Sequence, residues 1–435
     1  MGEADTVVEV ARRRTHAERA RPPSASTTGI SIPPAGDQVR PAPVPNDAPP
    51  LVIPLTRARI CAEAQRAVVD VLASGWVTSG EQVVQFEREF AQHLGVEHAV
   101  AVSSCTAAIE LALRALQLAP GSKVLMSTMT FCGAASAILH AGHVPVLADV
   151  DDVTAMPSPR TVAAAAAGCG GVDALVVVHL AGLPTDVTAL AAAAGVDLDH
   201  VVEDAAHALG TLVDDAAVGT ISRATCFSFY ATKNLAIGEG GMVTTNDPDI
   251  ADRIRQTRLH GMSADAWRRY LPGGGWRYDV AVDGLKANMT DVQAAIGRAQ
   301  LRRFDADQAR RAAVADRYDE ALADVPGIRR PPRPATGRHA WHLYVVRVEP
   351  EYGVTRDELI GLLRRRGVGT SVHFIPLHRL TWFGRHCVVP PGGMAGADRV
   401  FEQILSLPLD AVISDAEVAV VCTALAETTQ RGESR

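Results

Sequence analysis

The seven cysteines (Cys61, Cys105, Cys132, Cys169, Cys226, Cys387 and Cys422) form no CxxC pair and no small-disulfide spacing. This argues against a disulfide framework and predicts reduced thiols in a cytoplasmic protein. No apolar run reaches transmembrane length, because Gly, Asp or His interrupts the longest stretches. The N-terminus lacks the apolar core of a signal peptide, and its MGEADT opening, with acidic Glu3 and Asp5, matches the N-myristoylation pattern only by chance. A formal charge of −7 without a basic stripe argues against general nucleic-acid binding. There is no GxxxxGK[ST] loop to cradle a nucleoside triphosphate, and no GxGxxG follows a strand. Lysine is scarce as well. Positive charge comes mainly from arginine, and Lys233 is the only lysine between Lys123 and Lys286.

With 435 residues, 47% of them hydrophobic and many of them Ala and Gly, the chain suits a globular protein built from α/β units. Residues 1–50 combine Arg, Pro, Ser and Ala without a sustained period. They read as a disordered extension that cannot bury enough apolar surface to offset its ordering entropy. From residue 60 the pattern changes. CAEAQRAVVDVLASG and EQVVQFEREFAQHLG carry apolar residues at helical spacing and each closes on a glycine. Short strands and helices then alternate through HAVAVSS, CTAAIELALRALQL, KVLMSTMT, AASAILHAG, VPVLADV, ALVVVHL, DVTALAAAAG, VVED, ATCFSF and GGMVTTN. That alternation predicts βαβ units and a largely parallel sheet. Helices dominate after residue 250, notably over residues 291–325, and a smaller α/β segment follows with WHLYVVRV, TRDELIGLLRRRG and TSVHFIPLH. The expected division is a large domain over 51–295, and a connecting helix with a small C-terminal domain over 296–435.

The chemistry gathers at strand ends. VVEDAAHALGT closes a short strand on Glu203 and Asp204, so one carboxylate can stand at the C-terminal edge of the sheet, where open parallel sheets bind ligands. Alone, it reads as an acid capping the next turn. Lys233 follows a later strand, CFSF, and alone reads as a surface lysine. Together they suggest pyridoxal phosphate, whose aldehyde forms a Schiff base with a lysine and whose ring nitrogen needs a carboxylate to stay protonated. The phosphate needs its own cradle. SSCTAAIELAL places small residues at a helix start, where free N–H groups and the positive dipole end favour an anion, although SSCT is also an ordinary N-cap. Thr106 can add a hydroxyl there, and Ser228, just before Lys233, another. His373 and His378 in HFIPLH are spaced across a proline with no third ligand evident, which gives no metal site.

From about residue 52 to 425 the chain resembles the DegT/DnrJ/EryC1/StrS family of sugar aminotransferases, pyridoxal phosphate enzymes of fold type I. Eight stretches carry the resemblance in the family's order: GWVTSGEQVVQFEREFA, VSSCTAAIELAL, TMTFCGAASAI, VVHLAGLPTDV, VVEDAAHALGT, FSFYATKNLAIGEGGMVTTND, LKANMTDVQAAIG and SVHFIPLH. It implies an aspartate-aminotransferase-like α/β fold, with a large, mostly parallel seven-stranded sheet domain and a smaller C-terminal α/β domain. It also implies roles residue by residue. Lys233 would carry the cofactor and shuttle the proton between cofactor and substrate carbons, and Asp204 would pair with the pyridine nitrogen. His207 takes the place usually held by Gln or His near the ring and its phenolic oxygen. Phe131, which alone reads as core, matches the aromatic that stacks on the ring. Cys105, Thr106 and Ser228 match the phosphate-binding positions, with Cys105 replacing the commoner glycine and acting through its backbone. Lys286 and Asn288, in GLKANMTD, match a loop that reaches the phosphate of the partner subunit's cofactor, where the commonest form has Asn and Arg. Either contact implies a homodimer with shared active sites. His373 and His378 fall in a segment near the substrate.

The reaction implied is ping-pong transamination from L-glutamate to a nucleotide-linked keto sugar, most like the members acting on dTDP-4-keto-6-deoxyhexoses in amino-sugar biosynthesis. A 3-keto sugar nucleotide or keto-cyclitol is the alternative acceptor. A dehydratase of the same fold carries His where this chain has Lys233, and a non-catalytic cofactor-binding regulator would not need Lys233, Asp204 and the phosphate residues intact. The Arg- and Ala-rich composition suits a glycosylated natural product or surface glycan of a high-GC bacterium.

Overall fold

Helices α1 (Ala62–Ser74) and α2 (Glu81–Leu94) both stop at glycines, Gly75 and Gly95, with φ of 75° and 73°. A left-handed residue there closes the last turn without a Cβ penalty. The structure is a computed structural model and describes residues 53–262 and 278–432; the extension expected over residues 1–50 lies outside the described residues. The i, i+3, i+4 spacing of α2 puts Val83, Phe86 and Phe90 on its buried face.

Strand and helix then alternate as expected: β1 (His98–Val102), α3 (Cys105–Ala115), β2 (Lys123–Ser127), α4 (Cys132–His140) and β3 (Val144–Ala148). The series continues through α5 (Pro159–Gly168), β4 (Ala174–Val178), α6 (Val187–Ala194) and β5 (Val201–Asp204). A two-residue hairpin follows, β6 (Leu212–Val213) and β7 (Ala216–Ala217), and then β8 (Ala224–Ser228), β9 (Gly241–Thr245) and α7 (Pro248–Thr257).

Seven strands form one sheet in the order β1-β9-β8-β5-β4-β2-β3. Strands β3, β2, β4, β5 and β8 are mutually parallel, and β9 runs against both of its neighbours, β8 and β1. Every strand except β9 therefore ends at the same edge. Strands β4 and β5 are buried at each position, as parallel strands covered on both faces must be. Alternation along β1 divides the packing: Val100 and Val102 join α3, α4 and α7 on one face, while Ala99 and Ala101 join Phe86, Phe90 and Phe229 on the other.

The helical run beyond residue 290 is two helices, α8 (Asp291–Leu301) and α9 (Phe304–Ala321), meeting at Arg302–Arg303. Strands β10 (Ile328–Arg329) and β11 (Tyr344–Val348) precede α10 (Arg356–Arg365), α11 (Phe383–His386), α12 (Ala395–Gln403), β12 (Ile404–Leu407) and α13 (Asp415–Gly432). Strands β10, β11 and β12 make an antiparallel sheet with its own core, built on Tyr318, Tyr344, Leu359, Leu405 and Val421. Sequence reasoning did not mark α5, α12, β12 or α13. The segment TSVHFIPLH is an irregular strap: Ser371 bridges to Ser406, and the Leu377 N–H donates to the Thr128 carbonyl at 2.9 Å. That strap ties the smaller sheet to the end of β2. No described helix is long and apolar enough to cross a membrane.

Candidate active site

The C-terminal edge of the large sheet opens into a cavity of 540 Å³, and residues from five strand ends line it. Strand β1 ends where α3 begins, and the Ser104 hydroxyl caps that helix by accepting the Ala107 N–H at 3.1 Å. The Ser104 carbonyl takes the Ala108 N–H, which leaves the Cys105 and Thr106 amides at the positive end of the helix dipole, at the cavity wall. Thr106 and Ser228 add hydroxyls beside them. Gly241 explains part of the glycine cluster after Lys233. A Cβ there would lie 2.6 Å from the Ser104 carbonyl and 2.8 Å from the Cys105 nitrogen, so glycine lets β9 press against the start of α3. The glycines shape the cradle and are not the cradle.

Asp204 is the last residue of β5, and Lys233 follows β8, which pairs with β5 with Asp204 opposite Cys226. Parallel neighbours thus carry carboxylate and amine to one place. Asp204 is 8% exposed. Its Oδ1 accepts the Ala206 N–H at 3.1 Å and faces the Cys105 thiol at 3.7 Å, while Oδ2 has no hydrogen-bond partner among the described residues. Burial raises the Asp204 pKa, against the opposing pull of the Ala206 N–H and the Lys233 charge. Burial also lowers Lys233 to about 8, with Asp204 and then Cys105 working to raise it. The Cys105 thiol is pushed well up, first by burial and then by Asp204, and stays protonated. A carboxylate with one free oxygen, buried beside an amine near its midpoint at neutral pH, is a site short of one cation.

His207 stands across the cavity. Its Nδ1 accepts the Ala181 N–H at 3.1 Å, and burial followed by the Lys233 charge holds its pKa well below the usual imidazole range. The ring is therefore neutral with its proton on Nε2. Phe131 is 61% exposed although it lies in the cavity wall, where it leaves an uncovered aromatic face. His373 also lines the cavity, with Nδ1 bonded to Ser406 Oγ at 2.8 Å and a pKa lowered to about 4 by burial and Lys233.

Eight of the residues singled out from sequence meet in this cavity: Cys105, Thr106, Phe131, Asp204, His207, Ser228, Lys233 and His373. Three do not. Both ring nitrogens of His378 are taken, Nδ1 by Thr128 Oγ1 and Nε2 by Asp398 Oδ1, each at 2.9 Å. Lys286 hydrogen-bonds Asn288, and Asn288 donates to Ser79 Oγ at 2.6 Å, beside a separate cavity of 560 Å³.

Sequence reasoning missed His342. It is buried in the cavity wall, its ring 4.2 Å from that of His207. It donates from Nδ1 to Asn234 Oδ1 at 3.1 Å, and Asn234 is fixed in turn by Gln308 and the Ala340 carbonyl. The Ala181 carbonyl accepts the His342 amide at 2.9 Å, so one residue orients both imidazoles. Ala181 has φ 60°, left-handed for a non-glycine residue. The chain order HLAG…HAWHLY held a signal only in retrospect, since nothing in the spacing places residue 342 beside residue 207.

A lysine amine and a carboxylate at adjacent ends of a mostly parallel sheet, an exposed aromatic face and an amide-lined helix start define a pyridoxal-phosphate-dependent transferase. These residues fit that group: Asp204 Oδ2 for the ring nitrogen, Phe131 for the ring face, and the Cys105 and Thr106 amides for the phosphate. The chain belongs to the DegT/DnrJ/EryC1/StrS aminotransferase family, whose model matches residues 58–426. It is 45% identical over 375 residues to the spore coat polysaccharide biosynthesis protein SpsC of Bacillus subtilis, covering 86% of this chain and 96% of SpsC. The aminotransferase TlmJ of Streptoalloteichus hindustanus superposes with a TM-score of 0.77 at 34% identity, covering 87% of this chain and 99% of TlmJ. Spr1654 of Streptococcus pneumoniae in its PMP-form gives 0.79 at 30% identity, covering 87% and 100%, and is also solved in a PLP-form. The cofactor of this protein is pyridoxal phosphate, and its class is sugar aminotransferase.

Proposed function

We propose that the protein moves the amino group of L-glutamate to a nucleotide-linked keto sugar, a 4-keto-6-deoxyhexose in amino-sugar biosynthesis. In this reading it works in the cytoplasm as a homodimer, with Lys286 or Asn288 reaching the partner's site. The observation that carries the reading is Lys233, buried opposite Asp204 with a pKa of about 8. A dehydratase would lack this amine.

Pyridoxal phosphate, when bound, supplies an electron sink for the carbon that loses its proton. The side chains supply the rest. Lys233 Nζ, lowered to about 8 so that a usable fraction is free amine near neutral pH, would take the proton from the donor's α-carbon and pass it to the cofactor's carbon, with the reverse transfer serving the sugar. Asp204 Oδ2 would offer its charge to the ring nitrogen, with the Ala206 N–H holding the other carboxylate oxygen in place. His207, neutral with its proton on Nε2, would donate to the cofactor's ring oxygen. His373 and Phe374 line the cavity and would contact the substrate.

The test is a panel of 4-keto and 3-keto sugar nucleotides and a keto-cyclitol, each incubated with glutamate and assayed for 2-oxoglutarate. The 4-keto-6-deoxyhexoses should give the highest kcat/KM. Preference for a 3-keto sugar or a cyclitol would overturn the acceptor. Turnover that persists in Lys233→Ala would overturn transamination itself.

A further inference from the structure

The two oxygens of Asp204 are held unequally, and the start of α3 is part of the reason. Oδ1 accepts the Ala206 N–H at 3.1 Å and lies 3.7 Å from Cys105 Sγ, within reach of a sulfur donor. Oδ2 meets no donor among the described residues. Cys105 is the first residue of α3, and its place is fixed from two sides. The Ser104 hydroxyl caps the helix through the Ala107 N–H at 3.1 Å. From β9, Gly241 packs so closely that a Cβ there would lie 2.8 Å from the Cys105 nitrogen. The thiol has a second acceptor in range, the Cys226 carbonyl at 3.5 Å. That carbonyl already takes the Ala205 N–H at 2.8 Å and carries no charge, so the carboxylate is the stronger acceptor for the single S–H proton. Burial and then Asp204 push the thiol pKa well up, so the proton stays on sulfur.

We infer that Cys105 is a positioning residue acting through Asp204: its thiol donates to Oδ1 and fixes the rotation of the carboxylate, so that Oδ2 meets the ring nitrogen of pyridoxal phosphate. The inference rests on the pairing of Asp204 with that nitrogen. It gives the start of α3 two tasks. The Cys105 and Thr106 amides serve the phosphate, and the Cys105 side chain stands behind the acid of the ring. One helix turn thereby ties together the anchors at the two ends of the cofactor. A thiol is a weak, neutral donor, so it orients the carboxylate without cancelling the charge that the ring nitrogen needs. A lysine or arginine in its place would take that charge for itself.

The full-length apoprotein is titrated by absorbance with pyridoxal phosphate and with its deaza analogue, in which carbon replaces the ring nitrogen and the phosphate and aldehyde are kept. Cys105→Ala removes the thiol and keeps the Cβ. Cys169→Ala is the control, at a thiol that faces the Ala166 and Gly171 carbonyls. Cys105→Ala should bind pyridoxal phosphate about three- to tenfold more weakly than wild type, the scale of one hydrogen bond. It should bind the deaza analogue as wild type does. Weakening of both ligands by the same factor, or of neither, overturns the inference, because a merely structural part in the helix start would not tell them apart. The second readout is the infrared S–H stretch of Cys105, isolated as the difference between each protein and its Cys105→Ala counterpart. The band should move to higher frequency when Asp204→Asn replaces the charged acceptor, and stay in place in Cys169→Ala. A band that Asp204→Asn leaves unmoved gives the proton to the Cys226 carbonyl and overturns this inference alone. Wild-type affinity for pyridoxal phosphate in Asp204→Asn sinks the pairing with the ring nitrogen, and the inference with it.

Discussion

Replacing Asp204 with Asn should move apoprotein stability and cofactor binding in opposite directions. In the apoprotein the carboxylate is buried, has one oxygen without a hydrogen-bond partner among the described residues, and has its pKa raised by burial. A carboxyl whose folded pKa lies above its unfolded value costs stability as pH rises through that range, because the folded state holds the proton longer. The amide has the same shape, keeps the Ala206 N–H and carries no charge to desolvate. Apo Asp204→Asn should therefore be at least as stable as wild type at pH 7. With the cofactor bound, the same change removes one partner of a buried ion pair, which costs roughly 3–5 kcal/mol, or about 10² to 10³·⁵ in affinity or rate. Removing the nearby negative charge also takes away an influence that raises the Lys233 pKa, so its midpoint should fall below about 8. Thermal melts with and without pyridoxal phosphate, absorbance titrations of the cofactor and the pH dependence of its capture give the three readouts. Cofactor affinity and turnover both within tenfold of wild type would refute the role given to Asp204.

Capture of pyridoxal phosphate by the wild-type apoprotein should accelerate as pH rises through about 8, where Lys233 loses its proton; a rate flat from pH 6 to 9.5 would contradict that depressed amine. His342→Ala removes the ring beside His207 and a donor to Asn234, and should weaken cofactor binding by about tenfold, on the order of one lost buried hydrogen bond and ring contact. Unchanged affinity by absorbance titration would assign His342 to the fold alone. Glu203→Gln strikes a buried network in which Glu203 accepts from His179 at 2.7 Å, Ser222 at 2.7 Å and Thr225 at 3.0 Å. Burial works to raise the Glu203 pKa, but these bonds outweigh it and hold the pKa down. Its contribution is therefore present above the unfolded carboxylate pKa and lost as pH falls through the folded one. Chemical denaturation at pH 7 should show a loss of about 3 kcal/mol that shrinks towards pH 3, and a pH-independent difference would refute the network.

Composition and periodicity alone determined much of this protein. Alternating apolar runs and glycine stops dictate βαβ units, because a parallel strand buried on both faces must be apolar throughout, and a crossover helix must present one apolar face. Local chemistry marked Lys233, the Glu203–Asp204 pair and the SSCT helix start, since each depends on residues close in sequence. Tertiary structure decided the rest. Glu203 and Asp204 were interchangeable as letters; the pleat turned one into a buried network with His179 and the other into the cavity. His373 and His378 share one motif, yet the strap places the first in the cavity wall and fastens the second to Asp398. His342 stands more than 100 residues beyond Lys233 (342 − 233), and only tertiary packing brings the two to the same cavity. Periodicity reports which face of an element is buried. It carries no information on which distant face meets it, because that depends on how whole elements fit together.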